Sequence, residues 1–408
     1  MLLGLTLGLV EGATAAVLIK HSFAQSAAPW LVNLAVAFVS GVPALSNVVS
    51  FIWANIAHGR RRVGMVVSLQ ALFAISVGAI GLAPRAAGGL AFTVFSVLLA
   101  RMLWAGVLTA RTSIWTANYP RHLIARMTGR IVIVSSLALA AAAALAGVSL
   151  QRGWPDPRWL YGGAAIAGLC GAWHYRAVTV RREFQLLSVE RDVDGGNGAF
   201  SLSMLTEILR TNPSFREYMF WMGLFGGGSL MLTSQLVVIL SDQMRVPSGT
   251  QVWLLAVVPL LTLPLAVPMW ARFFDGAHVV VYRSRQGWAL VVAITVTCVA
   301  VLAGWTWLLW LGAALLGISY AGANLGWNLG HNDFATPGRA QHYMGVHVTL
   351  TGVRGVIAPP CGIAAYQLLE TLQFGAGRWS MLIPLAMTTA GALGFNLMRR
   401  KHFHEQGS

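Results

Sequence analysis

Trp53-Ala54-Asn55-Ile56-Ala57-His58-Gly59 closes one long apolar run, and Trp270-Ala271-Arg272-Phe273-Phe274-Asp275-Gly276 closes another 217 residues further on. The same offset carries Pro120 onto Pro337 and Met127 onto Met344. A single match of this kind is expected by chance, whereas three places sharing one register without a gap point to a duplicated unit. Working outward, six apolar runs precede a polar stretch from about Arg176 to Arg216 and six follow it. The first six are read near Leu2–Ile19, Trp30–Ile56, Val63–Leu82, Leu90–Ala110, Ile131–Leu150 and Trp159–Tyr175. The second six lie near Glu217–Leu240, Val252–Phe274, Gly287–Ala303, Thr306–Leu325, Tyr343–Leu368 and Trp379–Met398.

Each run is close to the roughly 20 residues a helix needs to cross the hydrocarbon layer. Composition agrees: 56% of the 408 residues are hydrophobic, mean hydropathy is +0.66, and 10% are charged, against roughly 25% in soluble domains. A soluble fold of this size needs more polar surface to cover its core, and lipid removes that need. Leu2–Val10 lacks a basic flank and its apolar run continues to Ile19, so it reads as a first span rather than a cleaved leader. The expected organisation is a bundle over 1–177, a linker over 178–216, a second bundle over 217–400 and a tail over 401–408. Within the linker, Gly195-Gly196-Asn197-Gly198 is glycine-rich and Leu202–Leu209 reads as a short surface helix.

The net charge of +15 raises the question of nucleic acid, but the basic residues sit in short loops between apolar runs. Twenty Lys and Arg fall on the linker side, Arg111 and Arg283 among them. Six fall on the other side: Lys20, Arg85, Arg152, Arg158, Arg245 and Arg378. By the positive-inside rule the linker and both termini are expected in the cytoplasm, with no nucleic-acid partner. Cys170, Cys298 and Cys361 lie in apolar runs without C-x-x-C spacing, which implies neither disulfide nor metal. His342 and His347 lack a third ligand nearby in sequence, so no metal site is expected. Hydrolase triads and a G-K-[ST] phosphate loop are absent, so neither an enzyme nor direct ATP drive is expected.

The six-plus-six plan and the basic turn after the second span resemble the major facilitator superfamily along essentially the whole chain. That family's loop reads G-x-x-x-D-R-x-G-R-R. Gly59-Arg60-Arg61 matches its closing part, while Ile52, Ile56 and Ala57 stand where its first glycine, aspartate and arginine would be. Asp275 supplies an acid in the second copy. Arg101-Met102-Leu103-Trp104-Ala105-Gly106 is similar to the family's R-x-x-x-G of span four, one residue longer. An alanine run over Ser135–Leu150 replaces the glycine-proline motif of the drug antiporters. Trp327-Asn328-Leu329-Gly330-His331-Asn332-Asp333-Phe334 and Tyr343-Met344-Gly345-Val346-His347 resemble bacterial members. The resemblance implies an all-α membrane fold of twelve helices in two pseudo-symmetric six-helix bundles, multi-pass in a bacterial inner membrane. It also implies a monomer that moves a small solute by alternating access, without a cofactor. Gly59, Arg60, Arg61, Asp275 and Asp333 are then expected at a cytoplasmic gate. The substrate site of such duplicated carriers lies between the halves near the membrane midplane.

Ionisable residues within spans are costly and mark function by default. Glu11 falls in span one, Arg101 about eleven residues into span four, and Arg354 about eleven into span eleven. Glu11 is read either as a proton or substrate partner or as an interfacial residue of a late-starting span. Arg101 either faces the cavity or snorkels outward. Arg354 is read as the anion-binding or charge-paired residue. Two guanidiniums against one carboxylate leave a positive surplus, so the expected solute carries a negative group, with protons as the coupling ion. Asn324, Asn328 and His331 share a helical face and read as a cavity wall or a polar helix end. Gly226-Gly227-Gly228 is expected to interrupt span seven, and Pro259, Pro264, Pro268 and Pro359-Pro360 to bend spans eight and eleven. Two other classes fit the same plan: lipid or pigment handling, which needs a cavity open sideways to lipid, and an assembly factor or sensor, whose cavity would be filled.

Overall fold

Lipid offers no hydrogen bonds, so every backbone N–H and C=O within it must be satisfied by the chain itself; the fold answers with helices alone. The computed structural model describes residues 1–119, 121–153, 158–192, 202–335 and 339–407, with no strand among them. The first span is a bent pair, α1 (Leu2–Leu9) and α2 (Gly12–Phe23), turning by 50° at Val10–Glu11. The second runs through α3 (Pro29–Leu45), a 3-10 turn (Ser46–Val49) and α4 (Ser50–Ala57). Then follow α5 (Arg62–Ile80), α6 (Ala87–Asn118), α7 (Arg121–Gln151) and α8 (Arg158–Tyr175). The intervening segment carries α9 (Glu183–Asp192) and α10 (Leu202–Thr211), the latter where a short surface helix was expected.

The second half opens with α11 (Pro213–Asp242), started by Asn212, whose side chain accepts from the Phe215 N–H at 2.9 Å ahead of Pro213 in the first turn. Next come α12 (Ser248–Val252), a π turn (Trp253–Val257) and α13 (Val258–Asp275) as one span. Pro259 has no N–H to give the turn before it, and the helix widens there instead of breaking. It continues with α14 (Val279–Ala303), α15 (Thr306–Leu329), a 3-10 turn (Gly330–Phe334), α16 (Ala340–Leu372), a second 3-10 turn (Ala376–Met381) and α17 (Leu382–Gly407). Among the described residues ten spans are long and apolar enough to cross a membrane and the bent α1–α2 pair is an eleventh. The twelfth helix, α8, is 18 residues long and diluted by glycine, and it packs against α1 and α5. Exposed Leu72, Ile75, Phe95, Ile166 and Leu265 present the apolar outer surface that lipid requires.

The duplication is visible in side-chain geometry. The Trp53 indole donates to the Met102 carbonyl on α6 at 2.9 Å, and the Trp270 indole donates to the Ile318 carbonyl on α15 at 2.9 Å. Each ring covers a glycine of that neighbour, Gly106 in one half and Gly322 in the other. Pro120, Pro337 and Gly195–Gly198 lie outside the described residues.

Several expectations are corrected. Span one is broken at Glu11 rather than continuous. Gly226-Gly227-Gly228 interrupts nothing: α11 is unbroken across it, because neighbouring helices press on the bare backbone and hold it. Arg111, Arg283 and Lys20 belong to helices rather than loops. Arg111 stacks on Trp115 in α6, 4.4 Å from the ring centre. Arg283 is 1% exposed inside α14, and Lys20 is buried near the end of α2.

The halves meet along a seam of small residues. Gly41 of α3 lies against the Gly355 backbone of α16, Gly355 against Ala44, and Gly352 against Val48. Small residues let helix backbones approach where lipid leaves no hydrophobic force to drive them together. Gly41→Leu is therefore expected to overpack the seam by roughly 1–3 kcal/mol. It should lower the melting temperature in mild detergent by several degrees, measured on purified protein by intrinsic fluorescence, while Gly64→Leu on the open face of α5 changes it little.

Candidate functional site

A cavity of about 340 Å³ lies between the halves. Pro43, Ala44 and Asn47 on the second span and Arg101 on α6 line it from the first half. From the second half come Met222, Phe225, Gly226, Ser229 and Leu230 on α11, and Arg283 and Leu290 on α14. Tyr320, Ala323, Asn324 and Trp327 on α15 and Thr351 and Arg354 on α16 complete the wall. On one side the halves are held closed. The Lys20 ammonium, 8% exposed, sits 2.8 Å from Asp242 at the end of α11 and donates to Asn33 at 2.7 Å. His21 pairs with Ser248 at 3.1 Å, and Gly147 and Gly249 lie backbone to backbone beside them. The cavity is on the linker side of this closure.

Of the residues singled out from sequence, Arg101, Arg354 and Asn324 line the cavity. Glu11 reaches it through Arg101, whose guanidinium donates to the Glu11 carboxylate at 2.6 Å, the side chains 11% and 32% exposed. The break between α1 and α2 makes this contact. Glu11 stands in extended backbone just before the first turn of α2, where the helix dipole favours a negative charge. Asn328 is not part of the wall; it is exposed and donates to the Asn324 carbonyl of its own helix at 2.8 Å. Asp333, a gate candidate, accepts from the Val279 N–H at 2.6 Å at the start of α14, beside His278. Gly59 takes a left-handed turn with φ 64°, which suits glycine. Arg60 and Asp275 are exposed, and Arg61 lies 5.8 Å from the Phe184 ring centre on α9.

Arg354 donates to the Met222 carbonyl, to the Thr351 hydroxyl at 2.6 Å and to the Leu350 carbonyl at 3.2 Å. All three acceptors are neutral. Arg283, missed in the sequence, donates to Gln286 at 2.8 Å and the Ala323 carbonyl at 3.4 Å, again neutral. Its signal was present: Val279-Val280-Val281-Tyr282 is apolar, and Arg283, Gln286 and Leu290 share one face of any helix begun there. No group of three or more His, Cys, Asp and Glu able to hold a metal ion occurs among the described residues.

The Glu11–Arg101 pair makes a measurable demand. Glu11→Gln leaves a guanidinium without its countercharge, at a cost of about 3 kcal/mol, and the double variant Glu11→Gln/Arg101→Gln removes both charges. The double variant is expected to melt above the single one in detergent; melting at or below it would show that the contact is not a working pair.

A family model described as Major Facilitator Superfamily matches residues 1–359. No curated sequence matches. Among solved structures, the nucleoside transporter NupG (D323A mutant) superposes with a TM-score of 0.74 at 12% identity, over 97% of this chain and 98% of that one. A D-xylose–proton symporter gives 0.68 at 13% identity, over 97% and 96%. A bacterial homologue of the human lysosomal transporter Spinster, inward-facing and occupied, gives 0.62 at 15% identity, over 98% and 96%.

Proposed function

The chain belongs to the major facilitator superfamily, and from that premise we propose that it carries a small anionic solute across the membrane by alternating access, coupled to protons. As a member it is a multi-pass membrane transporter and not an enzyme. The observation that carries the anionic reading is Arg354, a guanidinium on the cavity wall whose bonded partners are all neutral. A planar fork of donors suits a carboxylate or phosphate better than an ammonium does. The unfilled cavity speaks against a sensor that has lost transport.

Proton coupling is assigned to Glu11. With Glu11 ionised, its charge cancels that of Arg101. A proton on Glu11 frees Arg101 to add positive charge to the cavity, so proton and anion binding favour each other. The kinship of fold with a D-xylose–proton symporter supports the coupling ion; the arginines set this chain's expected solute apart from a sugar or a nucleoside. The proposed orientation puts the linker in the cytoplasm, which makes this conformation inward-facing, with the Lys20–Asp242 closure on the outer side. Outward opening then requires that pair to separate.

Uptake into membrane vesicles under an imposed pH gradient, profiled over carboxylates, phosphates, sugars and nucleosides, tests the reading. An anion is expected to accumulate when the outside is acid. Arg354→Lys is expected to reduce that uptake at least tenfold while inserting normally, and Glu11→Gln to leave anion exchange but abolish the response to the gradient. Normal uptake by Arg354→Gln would overturn the assignment.

A further inference from the structure

Arg101 has its countercharge in Glu11, whereas Arg283 and Arg354 have none among the described residues, although Arg283 is 1% exposed and both line the cavity. Among the described residues the only acidic one in mid-span is Glu11, and that one is engaged. The second half has also been shaped around these two guanidiniums. A Cβ on Gly226 would collide with the Arg354 guanidinium, and one on Gly326 would stand 2.7 Å from Cζ of Arg283. Each arginine therefore lies flat on a helix stripped of its side chain, on α11 and α15 respectively. The Nε of Arg283 is buried with no hydrogen-bond partner among the described residues. Besides the polar Asn47, Ser229, Asn324 and Thr351, the wall carries apolar and aromatic side chains, among them Phe225, Leu290, Tyr320 and Trp327.

We propose that Arg283 and Arg354 together form a single site, within the second half alone, for the doubly charged oxyanion head of an organic anion whose flat apolar body lies against Phe225, Tyr320 and Trp327. This rests on the anionic reading of the cavity and narrows it. Two uncompensated cations in a low-dielectric wall are balanced by two negative charges and not by one. A fork of parallel N–H donors holds each pair of oxygens, and the rings supply the stacking surface. Arg101, neutralised by Glu11, is no part of the headgroup site. A phosphate monoester and a dicarboxylate share this chemistry.

Binding to the purified full-length protein at pH 7.5 tests the inference, with phenyl phosphate, phthalate, benzoate and benzyl alcohol as probes in titration calorimetry. At least one of the two dianions is expected to bind tenfold or more tightly than benzoate, and which one does so separates the phosphate from the dicarboxylate. Arg283→Gln and Arg354→Gln are each expected to weaken that dianion about tenfold or more and to narrow its margin over benzoate. Arg400→Gln, exposed on α17 and outside the cavity wall, should shift it less than threefold. Arg283→Lys keeps the charge and guards against simple misfolding; it should bind the dianion more tightly than Arg283→Gln does. Equal affinity for benzoate and both dianions, or an Arg283→Gln protein that folds and binds the dianion unchanged, would overturn the two-arginine site while leaving a monoanion carrier standing. Binding of benzyl alcohol alone, with none of the anions, would remove the anionic reading as well.

Discussion

A guanidinium buried inside a membrane-spanning helix bundle has to be answered by something. Moving such an ion out of water costs several kcal/mol even after relaxation. Arg101, Arg283 and Arg354 all face a cavity enclosed by helices. In the first half the answer comes from another span: the first span breaks, and the break delivers Glu11 to Arg101. In the second half the answer consists of carbonyls, one hydroxyl and one amide, which satisfy hydrogen bonds and leave charge over. Much else follows from this difference. Helices α11 and α15 present bare glycine where the arginines lie.

The two halves thus share a scaffold and divide the electrostatic work. Trp53 and Trp270 make the same bond to equivalent neighbours over equivalent glycines, so the duplicated frame has been kept where it ties helix to helix. The charges have not been duplicated. One half holds a paired guanidinium and carboxylate; the other holds positive charge without a countercharge among the described residues.

Fold and span number were legible because hydropathy and the 217-residue register are long-range signals that single substitutions do not erase. Glu11, Arg101, Asn324 and Arg354 were legible because an ionisable or amide group inside an apolar run is conspicuous. Arg283, Arg111 and Lys20 were not. Each sits within a turn or two of where hydropathy fades, and an arginine near a span end reads as a loop residue although its helix continues beneath it. The bond of Asp333 to the Val279 N–H was not legible either, because its partner lies 54 residues away in the chain. The glycine triad of α11 was read as a weak point because propensity alone says so. Its packing against Arg354, Thr388 and Met387 turns it into a contact surface instead.

The seam between α3 and α16 also bears on how the halves move. Interlocked side chains resist sliding because knobs must leave their holes before they can enter new ones, which makes motion stepwise. Where Gly41 meets Gly355 backbone lies on backbone, while further along the same seam Val48 seats on Gly352. If the halves reorient about this seam, the glycine contact itself presents no knob to unseat, and the Lys20–Asp242 closure is the bond that must break. The four longest helices, of 30 to 33 residues, are each about 45–50 Å long at 1.5 Å per residue. With Gly355 near the middle of α16 each arm is about 25 Å, so a roll of about 5° at the seam moves the mouth by about 2 Å.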